Sequence, residues 1–182
     1  MRIVAISGSL RSASSNGALL RAAASVAPPD VEVIVFDDVG QLPHFNPDLD
    51  GDAPPPAVAA FRRLLGAADA IIISTPEYAH GVPGAFKNAL DWIVSSGELM
   101  RKPVALINAS PSGGEYAQAA LGHTLAVMEA RVLPEASLLA PFARGRIDAE
   151  GRVTDPDMLT SLRSSLDTLA AAVLAERGME AS

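Results

Sequence analysis

The run Asp69-Ala70-Ile71-Ile72-Ile73-Ser74 carries no polar side chain between its ends, and it constrains the fold more than any other segment. A strand that is apolar on both faces must be covered on both faces, as a central strand of a parallel sheet is. Comparable short runs stand at 2–7, at Val31-Glu32-Val33-Ile34-Val35 and at Val104-Ala105-Leu106-Ile107, and a short fifth strand is expected within 132–139. Between them lie apolar stripes at helical spacing. Leu19, Leu20, Ala23 and Val26 mark a helix near 15–27, and Val58, Phe61, Leu64 and Leu65 one near 56–67. Phe86, Leu90, Ile93 and Val94 mark a third, Ala117, Leu121, Leu125 and Met128 a fourth, and Leu159 to Val173 a fifth. Strands alternating with helices predict an α/β chain: a doubly wound, five-stranded parallel sheet with right-handed crossovers and helices on both faces. Ligands of such sheets bind outside the carboxyl ends of the strands.

With 182 residues and no linker or repeat, the chain reads as a single domain over 1–182. The net charge of −7, without a Lys/Arg cluster, argues against a nucleic acid or an anionic membrane as partner. The absence of cysteine removes disulfides, thiolate metal sites and thiol catalysis, and the three scattered histidines make no metal centre. No apolar run reaches the roughly 20 residues that span a bilayer, and none resembles a signal peptide, so a cytoplasmic protein is expected. Residues 38–56, rich in Pro, Asp and Gly, read as a long loop, either a flap or an excursion.

Three loops follow strand ends and should converge on one edge of the sheet. The first, Ser7-Gly8-Ser9-Leu10-Arg11-Ser12-Ala13-Ser14-Ser15-Asn16, leads into a helix that Ser14 or Ser15 can cap. The first amides of a helix lack internal partners and sit at the positive end of its dipole. Beside the hydroxyls of Ser9, Ser14 and Ser15 and the guanidinium of Arg11, they make a seat for a phosphate dianion. The second loop carries Pro76-Glu77-Tyr78-Ala79-His80-Gly81, and the third Asn108-Ala109-Ser110-Pro111-Ser112-Gly113-Gly114. A phosphate seat, an aromatic residue and a glycine-rich backbone together suit a nucleotide with a flat ring.

Gly8-Ser9-Leu10-Arg11 with Ser14 and Asn16, then Pro76-Glu77-Tyr78, then Pro83-Gly84 leading to Lys87-Asn88-Ala89-Leu90-Asp91-Trp92, resembles the NADPH-dependent FMN reductase family over roughly residues 2–175. The resemblance implies a flavodoxin-like three-layer sandwich with strand order 2-1-3-4-5. It implies FMN as cofactor, with Ser9, Arg11, Ser14, Ser15 and Asn16 on its phosphate. Pro76, Glu77 and Tyr78 would line the ring and ribityl chain, and Ser110, Ser112, Gly113 and Gly114 would approach the other ring edge. It further implies NADPH or NADH as co-substrate, a small-molecule electron acceptor (quinone, azo dye, chromate or flavin), and a homodimer or homotetramer with Trp92 and the helix at 84–96 near the interface. The family often has Asn where this chain has Ala79. No side chain is expected to act as a chemical catalyst, because the cofactor carries the reaction. Two other classes fit the same fold: a flavodoxin-type electron carrier and a non-catalytic FMN-binding protein. Arg11 argues against the carrier, since flavodoxins hold the phosphate chiefly with amides and hydroxyls.

Several residues also have ordinary readings. Trp92 reads as a half-buried helix position, Lys87 and Asp91 as an i,i+4 pair, Arg101 and Lys102 as a solvated turn, and His80 as a solvated loop residue.

Overall fold

A computed structural model of the chain describes residues 1–110, 113–141 and 143–180, without the side chains of Arg144 and Glu180. Strands β1 (Arg2–Ser7), β2 (Glu32–Phe36), β3 (Ala70–Ser74), β4 (Pro103–Asn108), β5 (Arg131–Val132) and β6 (Leu138–Leu139) alternate with helices α1 (Ser15–Ser25), α2 (Pro56–Gly66), α3 (Gly84–Asp91), α4 (Glu115–Val127) and α5 (Pro156–Glu180). The strands pair in parallel in the order β2-β1-β3-β4-β5, with β6 also paired to β4. This is the expected flavodoxin-like order with one change: the fifth strand is broken in two.

The break has a local cause. Proline has no amide to give the ladder, and Pro134 starts a single 3-10 turn over Pro134–Ala136. The Leu133 amide still reaches Val104 O at 2.8 Å and the Ala140 amide reaches Asn108 O at 2.7 Å. In the gap between them, the Ser137 hydroxyl accepts from the Leu106 amide at 3.0 Å and so stands in for the missing backbone.

Strand parity builds two cores. Ile3, Ala5, Ile72, Ala105 and Ile107 face α1 and α5, where Leu19, Leu20, Leu162, Leu166 and Leu169 meet them. Val4, Ile6, Ile71, Ile73, Val104 and Leu106 face the other way, onto Phe61 and Leu65 of α2, Phe86 and Leu90 of α3, and Leu121 and Leu125 of α4. Burial on both faces is why these strands read as continuous apolar runs. The register sets Ser7 beside Ser74 at the carboxyl edge.

Three expectations are corrected. Trp92 is 0% exposed, so it is a core residue within one chain and offers no surface to a partner. Its indole N–H donates to Pro43 O at 2.7 Å, and its ring meets Phe45 edge-on at 5.1 Å. Val94, read as part of the apolar stripe, is exposed, because the regular helix ends at Asp91. Lys102 is not a solvated turn residue. Its ammonium donates to the carbonyls of Leu65 and Gly66 at the C-terminus of α2, where its charge complements the helix dipole. Partial burial holds its pKa below the usual lysine range. Arg101 is exposed and Lys87 pairs with Asp91, both as expected.

The long loop 38–56 is a pinned excursion. The Asn88 side chain accepts from the Phe45 amide at 2.7 Å and donates to Pro43 O at 3.0 Å. Arg62 reaches from α2 to both Asp50 and the Trp92 carbonyl, and the Ser95 hydroxyl donates to Asp50 at 2.7 Å. The hydrogen bond from Arg62, then that from Ser95, holds the Asp50 carboxyl below its ordinary pKa.

Candidate active site

The loops after β1, β3 and β4 meet at the carboxyl edge of the sheet, and polar residues ending the strands tie them together. Asn16 is the knot. Its side-chain oxygen, buried, accepts from the Ser74 hydroxyl at 2.9 Å and from the Ala109 amide at 3.2 Å. One side chain in the first turn of α1 thereby fixes the ends of β3 and β4. Asn108 folds the third loop: it accepts from the Ser110 amide at 2.7 Å and donates to Gly113 O at 2.8 Å. Gly113 and Gly114 have φ of +85° and +61°, which glycine reaches without steric penalty.

The first loop is shaped by its own hydroxyls. The Ser9 hydroxyl oxygen accepts from the Arg11 amide at 3.3 Å. Of the two capping candidates, Ser14 is the N-cap of α1, accepting from the Gly17 amide at 3.3 Å. Ser15 begins the helix. No acid stands in the first turn of α1, whereas α4 has Glu115 there and also receives Glu77. The Glu77 carboxylate accepts from the Ala117 amide at 2.9 Å, capping α4 from the β3 loop. Helix α4 is thus already supplied with negative charge, and α1 presents a bare positive end.

The second loop turns tightly. Tyr78 and Gly81 exchange two backbone hydrogen bonds, at 2.9 and 3.1 Å, around Ala79 and His80, whose φ values are +49° and +62°. That is the type I′ geometry, which favours Asn-Gly. A residue with a Cβ in this region carries a strain of about 1–2 kcal/mol. The turn presents Tyr78, 52% exposed, and sets the His80 ring 4.1 Å from that of Tyr116.

A cleft of about 280 Å³ opens among these loops. Ser9, Arg11, Ser14, Ser15, Asn16, Pro76, Glu77, Tyr78 and Ser110 line it, together with Ala109. Gly113 and Gly114 lie at the start of α4 and are not in its lining, and Ser112 falls outside the described residues. Arg11, exposed at the rim, has no carboxylate partner among the described residues. Sequence reasoning missed Ser74, Thr75 and Asn108, all buried at this edge. The available signal was the polar residue that ends each apolar run.

A bare helix N-terminus, a guanidinium unpaired among the described residues and hydroxyls at one end of a cleft, with an aromatic ring at the other, fit a phosphorylated ligand with a flat head. Comparison with known proteins agrees. Residues 1–145 match the NADPH-dependent FMN reductase family. An NAD(P)H-dependent FMN reductase of Pseudomonas aeruginosa is 35% identical over 173 residues, covering 93% of both chains. A 2-hydroxy-1,4-benzoquinone reductase of Burkholderia is 35% identical over 176 residues, covering 94% of this chain and 95% of the relative. The solved structure of FerB, an NAD(P)H:(acceptor) oxidoreductase from Paracoccus denitrificans, superposes with a TM-score of 0.80 at 30% identity, over 96% of this chain and 97% of that one. The chain therefore belongs to the NADPH-dependent FMN reductase family and is an oxidoreductase that depends on FMN and NAD(P)H.

Proposed function

We propose that FMN lies in the cleft of about 280 Å³, and that this protein reduces a small quinone-type acceptor by a ping-pong sequence with NAD(P)H as donor. The observation that carries the placement is Arg11, unpaired among the described residues at a helix N-terminus without acids. The phosphate sits on the first-turn amides of α1, the Ser9 and Ser15 hydroxyls and the Arg11 guanidinium. Ser14 contributes through the cap that holds those amides in place. Asn16 supports the phosphate seat by joining the three loops, since its side-chain oxygen is already spent on Ser74 and Ala109. Pro76 to Tyr78 flank the ring, and Glu77 fixes their distance from the start of α4 through its bond to Ala117. FMN held by these residues would supply the chemistry that takes a hydride from the nicotinamide and gives electrons to the acceptor.

The chain's own part is to bind, orient and exclude water. Tyr78 and Tyr116 stand half-exposed beside the cleft, apolar bodies against which a flat acceptor stacks. The binding test is Arg11→Ala in the protein stripped of flavin. Charge-assisted hydrogen bonds contribute about 1.5–3 kcal/mol, so FMN affinity is expected to fall tenfold or more, read by flavin fluorescence titration. Unchanged affinity would move the phosphate elsewhere. Turnover of NAD(P)H with a benzoquinone separates this reading from a flavodoxin-type carrier, which would take up FMN and show no turnover.

The chain assembles as a homodimer or homotetramer in this reading, through α4 rather than Trp92. The outward side of α4 carries Tyr116, Ala119, Ala120, His123, Ala126 and Val127, all exposed and mostly apolar, and Val127 is 75% exposed. A helix apolar on every side is one that is covered on every side. Light scattering is expected to give two or four copies, and a monomer would remove this part. No helix among the described residues is long and apolar enough to cross a membrane. A cytoplasmic location is part of this proposal and rests on the NAD(P)H-linked small-molecule chemistry.

A further inference from the structure

On the other side of Arg11 lies a second cleft, of about 400 Å³, between the loop 11–15 and α1 on one wall and the turn at Ile147–Gly151 on the other. Its charged residues divide unequally. The acids, Asp148 and Glu150, are already used. Asp148 accepts from the Glu150 and Arg152 amides at 3.0 and 2.8 Å and pairs with the Arg152 guanidinium at 2.8 Å. Glu150 meets the same guanidinium at 3.3 Å. These contacts build the turn, which closes through the Ile147–Val153 bridge with Gly151 at φ +78°.

The cations of the cleft, Arg11 and Arg21, are not used. Neither side chain has an ion pair or hydrogen bond among the described residues. Among the described Lys and Arg side chains, the others without such a partner are Arg63 and Arg101. Arg63 stands in the last turn of α2, and Arg101 just before β4 begins, both at the amino edge of the sheet, away from the site. The two unpartnered cations on the ligand side thus share one cleft. Arg21 lies across the helix surface toward the turn. A Cβ built on Gly17 would meet its guanidinium at 3.2 Å, a tight contact, and one built on Gly151 would touch it at 3.6 Å, so the guanidinium lies between α1 and the turn.

Arg21 is six helical steps beyond Ser15, about 9 Å along the axis. That distance keeps a charge held at Arg21 apart from one held at the first turn. Two guanidiniums with free donor forks, facing two acids that are both turned to Arg152, leave the group of five charges net positive and make a site for a phosphomonoester. We infer that this cleft is a second phosphate subsite, separate from the FMN phosphate, and that it takes the 2′-phosphate of NADPH. Arg21 would hold that group and Arg11 would form the shared wall between the two phosphates. The inference rests on the FMN placement given above. It makes Arg21 a specificity residue for NADPH over NADH, with no part in the hydride step.

The test is calorimetric titration of the FMN-loaded protein with adenosine 2′,5′-bisphosphate and, in parallel, with 5′-ADP, which lacks the 2′-phosphate. The bisphosphate is expected to bind about tenfold tighter or better. Arg21→Gln is expected to erase the difference and Arg21→Lys to restore part of it, with flavin content unchanged. The ratio of kcat/KM for NADPH to that for NADH should fall by about the same factor in Arg21→Gln. Equal binding of the two probes, or a preference that survives Arg21→Gln, overturns the subsite. In the flavin-loaded protein, where the flavin seat is filled, inorganic phosphate is expected to compete with the bisphosphate. Absence of that competition would overturn the subsite as well. A protein that loads FMN and oxidises NADH but ignores the 2′-phosphate loses only this subsite, whereas one that never takes up FMN loses the flavin placement.

Discussion

Replacing Gly8 with alanine is expected to cost at least about a hundredfold in FMN affinity, close to 3 kcal/mol, and to lower stability by a further 1–3 kcal/mol or so through overpacking. Gly8 follows β1, and its amide donates to Ser74 O at 2.9 Å, so the backbone there is held against β3. A Cβ at this position would stand 2.7 Å from Thr75 Cβ, closer still to Thr75 Oγ1, and 3.1 Å from Phe86 Cγ. Thr75 is β-branched and buried and Phe86 is fully buried, so neither can swing aside. The strand ends must part instead, which separates the phosphate loop from Pro76–Tyr78. Gly122→Ala on α4 is the control, since a Cβ there meets nothing within 4 Å. Flavin titration and thermal melting read both variants. An affinity within threefold of the parent for Gly8→Ala would show that the close approach of β1 to β3 does not set the cleft.

Asn16 should separate folding from binding. Asn16→Ala leaves the Ser74 hydroxyl and the Ala109 amide without their acceptor. Each orphaned buried donor costs about 1–3 kcal/mol. The apoprotein is therefore expected to lose roughly 2–5 kcal/mol, and its Tm to fall by about 5–15 °C. Asn16→Asp keeps an oxygen for both donors, so the melting point should drop much less. The new carboxylate, however, lines the cleft and repels the phosphate, and FMN affinity is expected to fall tenfold or more. Melting of the apoprotein and flavin titration of both variants distinguish the roles. If Asn16→Ala melted with the parent, Asn16 would not be the tie between the loops.

These two positions also show how legible the site was. Gly8 and Asn16 both stood in the motif that carried the family resemblance, and most of the cleft lining could be named from the three loops. The role of Asn16 could not. As a phosphate ligand it needs only its own loop, but as a tie it needs partners 58 and 93 residues away. Glu77 is similar: a loop carboxylate by sequence, it caps a helix 40 residues downstream. Trp92 was misread for the same reason, because the carbonyl that satisfies its indole N–H belongs to Pro43, 49 residues earlier in the excursion.

What the sequence by itself determined is whatever depends on neighbours along the chain. Apolar runs without a polar face demanded a sheet covered on both sides, and stripes at helical spacing supplied the cover, while the hydroxyls before α1 gave a capacity for holding an anion. Only the tertiary structure decided which polar groups are consumed and which remain free. Arg152 engages Asp148 and Glu150, leaving Arg11 and Arg21 unpaired among the described residues, and Glu77 supplies α4, leaving α1 as the helix end without an acid. Hydrogen bonds and ion pairs are short-ranged and saturable, so the composition of a loop gives its capacity to bind, and its spatial neighbours decide how much of that capacity is left for a ligand.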